Sequence, residues 1–141
     1  MNKIIKSVLF VCNLNSVRSV MAEGLLKKQL HSVLHVESAG VKKGEHDNFA
    51  IEVMSEINVD ISEHQHQLIS DIVNKDFDIV ITLSPEAQHV SKELTRYNSW
   101  EIEYWPCYDV SNFHGSREQI LSSYREVREQ INKLIIKKFI S

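Results

Sequence analysis

Cysteine is scarce in this chain: 141 residues carry only Cys12 and Cys107. Two thiols cannot build the multi-bridge framework of a disulfide scaffold, so each serves either packing or chemistry. Glycine and proline are scarce too, at four and two. That excludes collagen-like and low-complexity classes and leaves no flexible linker, so one domain over residues 1–141 is expected. Positive charge is not in excess. A net charge of −3 gives no footprint for non-specific nucleic-acid binding, while leaving room for a local basic pocket. Long apolar runs are missing as well. Val8-Leu9-Phe10-Val11, behind Lys3 and Lys6, is too short for the core of a signal peptide, and Asn13 and Asn15 interrupt the residues after it. Nothing approaches membrane-spanning length. The expectation is a cytoplasmic protein with reduced thiols and neither a membrane nor a nucleic-acid partner. A 43% hydrophobic share is that of a folded chain with a core.

What is present alternates between strand and helix. Residues 7–11 form an apolar run rich in β-branched side chains, the pattern of a strand buried on both faces. A helix comes next over 17–30, with Met21, Ala22, Leu25, Leu26 and Leu30 at helical spacing. Residues 35–38 read as a short strand ending at Gly40, and 49–57 as a helix with Asn48 as N-cap. One or two short helices are expected in 60–74. A second buried strand spans 78–83, after which Ser84-Pro85-Glu86 starts a helix with a cap, a proline at its first position and an acid in its first turn. A short strand at 101–104 and a long helix over 117–138 complete the chain. The stripe of that last helix is Ile120, Tyr124, Val127, Ile131 and Leu134. Four strands with helical crossovers predict an α/β fold, a small four-stranded parallel sheet covered by helices on both faces. Ligands of such folds bind beyond the carboxyl ends of the strands. Residues 12–19, 39–48 and 105–116 are therefore predicted to meet.

The first of these loops carries chemistry. Cys12-Asn13-Leu14-Asn15-Ser16-Val17-Arg18-Ser19 lies between a buried strand and a helix N-terminus, where successive backbone N–H groups can converge on an anion. There is no Gly-Lys-Ser/Thr, so the Walker type of nucleotide site is excluded. A thiol beside a helix N-terminus and a cation is favoured as the nucleophilic thiolate, and Ser19 can donate a hydrogen bond to it. Arg18 offers a planar fork matching two oxygens of a tetrahedral oxyanion.

These residues, VLFVCNLNSVRSVMAE, resemble the active-site segment of the low-molecular-weight protein-tyrosine phosphatases, and of the arsenate reductases that share their fold. The family pattern is Cys-x-Gly-Asn-x-Cys-Arg-Ser-Pro, matched by Cys12, Asn15, Arg18 and Ser19. The likeness continues at Glu37-Ser38-Ala39-Gly40, Asn58-Val59-Asp60-Ile61-Ser62, Phe77-Asp78-Ile79-Val80-Ile81-Thr82-Leu83 and Trp105-Pro106-Cys107-Tyr108-Asp109. It implies a three-layer, Rossmann-like sheet of order 2-1-3-4. The chain departs from the pattern at Leu14, where the family has glycine, at Val17 for its second cysteine, at Val20 for its proline, and at Val110 after the late acid.

The resemblance implies a phosphomonoester hydrolase acting on a phosphorylated protein or a small aryl phosphate, with Cys12, Arg18 and Asp109 as its catalytic residues. Asn13, Leu14, Asn15, Ser16 and Val17 would form the phosphate-binding loop. Asn15 and Ser38 would hold that cradle in shape, with Ser19 supporting the thiol. Asp109 comes after the last strand and shares the edge of Cys12; Asp47 is the runner-up acid, while Asp60, Asp71, Asp76 and Asp78 read as caps or solvated groups. Trp105, Tyr108 and Phe113 are candidates to wall an aryl cleft, Trp105 equally a core residue. Lys42 and Lys43 read as a solvated loop. Among the seven histidines, His64-Gln65-His66 would point its rings to different faces of a helix, and no zinc spacing occurs, so no metal and no cofactor are expected. Cys107 reads as a bystander or, alternatively, a redox partner. A monomer or weak dimer is expected. The rival readings are an arsenate reductase, whose thioredoxin-coupled branch relays electrons through further cysteines, a silent oxyanion-binding or regulatory protein, and a cysteine phosphocarrier, which needs neither Arg18 nor Asp109.

Overall fold

The computed structural model describes residues 4–30 and 34–140; Lys3 lies outside them. Strand β1 (Ser7–Cys12) is central. It pairs in parallel with β2 (His35–Gly40) on one side and with β3 (Ile79–Thr82) on the other, and β3 pairs in parallel with β4 (Ile102–Tyr104). The order β2-β1-β3-β4 is the one expected. Alternation along β1 feeds two cores, as the period of a strand requires. Val8, Phe10 and Cys12 face α1 (Arg18–Leu30), α2 (Asn48–Ser55) and α4 (Arg117–Ile135); Leu9 and Val11 face α3 (Pro85–Leu94). Among the described residues, no helix is long and apolar enough to cross a membrane.

Local chemistry explains where elements begin and end. Ser84 caps α3 by accepting from Ala87 N at 3.1 Å, with Pro85 in the first turn. Ser116 and Gln119 make a reciprocal capping box at α4. The cap of α2 is Asp47, not Asn48: its carboxylate accepts from Ala50 N at 3.0 Å, and Asn48 is already helical. Strand β3 starts at Ile79 because Asp78 turns aside, its carboxylate accepting from Lys6 N and Ser7 N. The final α-helix stops at Ile135 and gives way to a π turn, Ile136–Ile140, rather than running to residue 138. Its buried stripe includes Tyr124, Val127 and Ile131, extended by Leu121 and Ile135; Ile120 and Leu134 are only partly buried.

The expectation of one or two short helices in 60–74 is met in part. Only a single 3-10 turn forms there, Ile69–Ile72. The backbone before it is drawn away to the edge of β2, where Gly40 N donates to Gln67 O at 2.9 Å and Gly40 bridges to Leu68. Tertiary pairing overrides the helical pattern here.

Candidate active site

At the carboxyl edge of the sheet the chain leaves β1 at Cys12 and enters α1 at Arg18. The connecting loop is fastened from outside. Cys12 O accepts from Val41 N at 3.1 Å, Asn13 O from Lys42 N at 2.8 Å, and Asn15 O from His66 Nδ1 at 2.7 Å. Asn13 Oδ1 accepts from Ser84 Oγ at 2.6 Å, tying the loop to the start of α3. Gly40 must be glycine, since a Cβ there would lie 2.8 Å from both Asn15 N and Leu14 C.

Asn15 is the keystone. It is fully buried and left-handed, with φ 54°, a region asparagine tolerates better than most residues. Its Nδ2 donates to Ser19 Oγ at 2.8 Å and Ser38 Oγ at 2.9 Å, while Oδ1 accepts from Gln67 N and lies 2.8 Å from His64 Nε2. Ser38 donates its proton to Glu23 Oε1 at 2.6 Å. Ser19 Oγ, already an acceptor from Asn15, keeps its proton for Cys12 Sγ at 2.9 Å. Asn15 thus sends one branch of the network through Ser19 to the Cys12 sulfur and the other through Ser38 to Glu23. Leu14 does not need the freedom of glycine: among the described non-glycine residues only Asn15 and Asn58 have positive φ. Its side chain points outward, 41% exposed, at the rim.

A pocket of about 240 Å³ opens over Cys12, with Asn13, Leu14, Ser16, Val17 and Arg18 forming its floor and near wall. Lys42, Glu86, Asp109 and Ser111 complete the mouth. All three loops predicted to meet do so, joined by the first turn of α3. Arg18 is buried, its Nη1 donating to Leu83 O and Cys107 O, both at 3.3 Å, and its Nη2 lying 3.6 Å from Asp109 Oδ2. Partial burial pulls the Asp109 carboxyl upward, but bonds from Ser111 Oγ and N and the charge of Arg18 outweigh it and hold the group below the usual carboxylate range. The Cys107 thiol is pushed up to about 11, chiefly by burial, with Arg18 opposing and Cys12 adding. At neutral pH it is a protonated thiol and a poor nucleophile.

Other candidates go elsewhere. Asp47 is spent on capping α2 and on accepting from Tyr124 Oη at 2.8 Å. Trp105 is a core residue, packed against Phe10 and Phe139 with its indole N–H donated to Glu103. It lines a separate groove of about 760 Å³ against α4, which contains none of the thiol, guanidinium or carboxylate described above. Tyr108 is exposed and Phe113 half-buried, and neither lines the Cys12 pocket. Lys42, read as solvated, is exposed yet stands at the mouth. Sequence reasoning missed Glu86 at the rim and Glu23, His64, His66 and Gln67 around Asn15. The signal was the His-x-His pair. No group of three or more metal-ligating side chains is placed to hold an ion among the described residues.

A parallel sheet of order 2-1-3-4, with Cys-x5-Arg wrapped around a pocket at its carboxyl edge, defines a class of cysteine-centred α/β proteins. Comparison narrows it: the model of the low molecular weight phosphotyrosine protein phosphatase family matches residues 7–139, and the chain belongs to that family. The arsenate reductase of Staphylococcus aureus strain N315 is 35% identical over 134 residues, covering 95% of each chain. Among solved structures, an arsenate reductase in a phosphate-binding state is 30% identical with a TM-score of 0.76, covering 94% of this chain and 95% of that one. A low molecular weight protein tyrosine phosphatase from T. tengcongensis is 26% identical with a TM-score of 0.73, covering 94% and 99%.

Proposed function

We propose that the protein hydrolyses phosphomonoesters through a cysteinyl-phosphate. The observation that carries this reading is the meeting of Cys12, Arg18 and Asp109 over one pocket, with the Arg18 and Asp109 side chains 3.6 Å apart. The Cys12 thiolate attacks phosphorus in line; the S–P bond forms as the P–O bond to the leaving group breaks. Arg18 and the loop N–H groups hold the equatorial oxygens. A bound dianion competes for Arg18, which removes one of the influences that keep Asp109 ionised; its carboxyl then takes up a proton from solvent and passes it to the leaving oxygen as the P–O bond breaks. Asp109, now a carboxylate, takes a proton from water as that water attacks phosphorus. The S–P bond breaks, inorganic phosphate leaves, and Ser19 stabilises the returning thiolate. Aryl esters are the favoured class because phenolate leaves with the least help from the acid.

The identity with arsenate reductases supports a second reading, in which the same cradle takes arsenate. Reduction to arsenite needs two electrons, and with the Cys107 thiol held protonated an external dithiol would have to supply the second sulfur.

The test is hydrolysis of p-nitrophenyl phosphate, with chelator and reductant present, by wild type, Cys12→Ser, Arg18→Ala and Asp109→Ala. Loss of turnover in Cys12→Ser and Arg18→Ala is expected, and activity surviving in Cys12→Ser overturns the mechanism. Arsenite production with dithiol, without ester turnover, selects the second reading. Phosphate binding with neither reaction selects a silent oxyanion binder.

A further inference from the structure

In a trans peptide unit the carbonyl oxygen and the following N–H lie in one plane on opposite sides. Whatever holds a loop carbonyl outside the cradle therefore aims the next N–H inward. Three carbonyls of the loop are held in this way, those of Cys12, Asn13 and Asn15. The N–H groups next in the chain belong to Asn13, Leu14 and Ser16, all of which line the pocket and none of which donates to an acceptor among the described residues. The first two anchors are backbone N–H groups of Val41 and Lys42, available whatever the side chain. The third is a side chain, His66.

We propose that His66 is a positioning residue of the oxyanion cradle: its Nδ1–H holds the Asn15 carbonyl and thereby turns the Ser16 N–H onto an oxygen of the bound anion. A carbonyl only accepts, so the 2.7 Å contact places a proton on Nδ1. The other ring nitrogen, Nε2, is buried with no partner among the described residues. Phenylalanine would fill the space without stranding a buried ring nitrogen, so packing alone does not account for an imidazole here. The ring is braced on two sides, by His46 with centroids 4.7 Å apart and by His64 at 5.2 Å. His64 and His66 grip one residue by different handles, the amide oxygen and the main-chain oxygen of Asn15. The grip acts where it matters most. Asn15 is left-handed at φ 54°, and a non-glycine residue persists there only when its surroundings hold it; such a turn makes the concave array of N–H groups that binds anions.

The proposal rests on reading the loop as an oxyanion site, but not on what happens to the anion afterwards, so inorganic phosphate is a sufficient probe. Calorimetric titration and 15N–1H spectra of the full-length reduced protein are compared for wild type, His66→Ala, His66→Phe and His66→Asn. His66→Ala and His66→Phe are expected to weaken phosphate binding about tenfold, the value of one hydrogen bond to a charged group. The Ser16 amide then loses its phosphate-induced downfield shift while the Leu14 amide, anchored through Lys42 N, keeps its own. His66→Asn, whose Nδ2 replaces Nδ1 as donor, is expected to restore both, which a residue serving only as filler would not require. Binding within twofold of wild type in His66→Ala and His66→Phe, with Ser16 shifting normally, overturns the proposal. So does loss of both amide signals together without rescue by His66→Asn. Failure of wild type to bind phosphate overturns the cradle reading itself; binding without ester turnover leaves this proposal standing and removes the hydrolase.

Discussion

Replacing Asn15 separates two contributions that coincide in the wild-type loop, the hydrogen-bonded amide and the left-handed backbone. The side chain engages Ser19, Ser38, Gln67 N and His64, within 3.2 Å in each case. Ser19 and Ser38 retain other partners in Cys12 and Glu23, whereas Gln67 N and His64 Nε2 each lose one. At about 1 kcal/mol net per bond, less what water recovers in the space left behind, Asn15→Gly is expected to cost about 3 kcal/mol. Asn15→Ala adds about 1 kcal/mol for forcing a Cβ into the left-handed region, giving about 4 kcal/mol. Against a typical stability of about 5–15 kcal/mol both variants stay folded, with Tm about 10 °C lower. Urea unfolding, with the slope unchanged, gives the two free energies, and phosphate titration reports the cradle. Equal losses in the two variants would refute the backbone argument. Losses under about 1 kcal/mol in both would refute the claim that this network holds the loop.

Four further expectations rest on named contacts. Gly44→Ala places a Cβ 2.4 Å from Leu14 O, a backbone atom, so the loop must shift; we expect destabilisation of about 1–3 kcal/mol and weaker phosphate binding. Leu14→Gly should not rescue that variant, and rescue would show that the clash lies in the side chain. Asp109→Ala should slow an alkyl phosphate by about a hundredfold or more but p-nitrophenyl phosphate far less, because only the poor leaving group needs the proton; equal losses with both esters would move the acid elsewhere. Glu86→Gln removes a carboxylate from the mouth of the Cys12 pocket, so, if that pocket takes the anion as proposed, phosphate should bind severalfold tighter at low salt, with the gain fading as salt rises; no change would show that Glu86 does not sense the anion. Glu56 is held at about 2, below its ordinary 4.5, first by hydrogen bonds from Arg125 and then from Arg128. A depressed carboxyl contributes stability that is complete above 4.5 and is lost as pH falls toward 2. Urea midpoints of Glu56→Gln should accordingly show a shallower decline than wild type across that window, and parallel curves would count against the clamp.

What was legible in the sequence was whatever a few neighbouring residues decide among themselves. Ser84, Pro85 and Glu86 start α3 by local bonding alone, and the apolar run of β1 needs only a sheet to enter. Cys12 and Arg18 were legible because a strand end and a helix start bracket them. The segment from 60 to 74 was not, because its conformation depends on Gly40, far away in the chain, which takes Gln67 O and Leu68 as its partners. That dependence hid the histidines: two apart on a helix they diverge, but residues 64–67 are not helical. His64 and His66 indeed converge on Asn15. Trp105 stayed open between cleft and core for the converse reason, since nearness in sequence to Asp109 says nothing about which face of the sheet receives the ring; the structure selects the core, against Phe10 and Phe139. Leu14 is the last such case. A leucine where the family has glycine signals strain only if that residue carries the unusual dihedral, and here the next residue carries it. The substitution therefore changes the rim of the pocket, where a leucine side chain now stands 41% exposed, and leaves the geometry of the cradle to Asn15 and the groups that hold it.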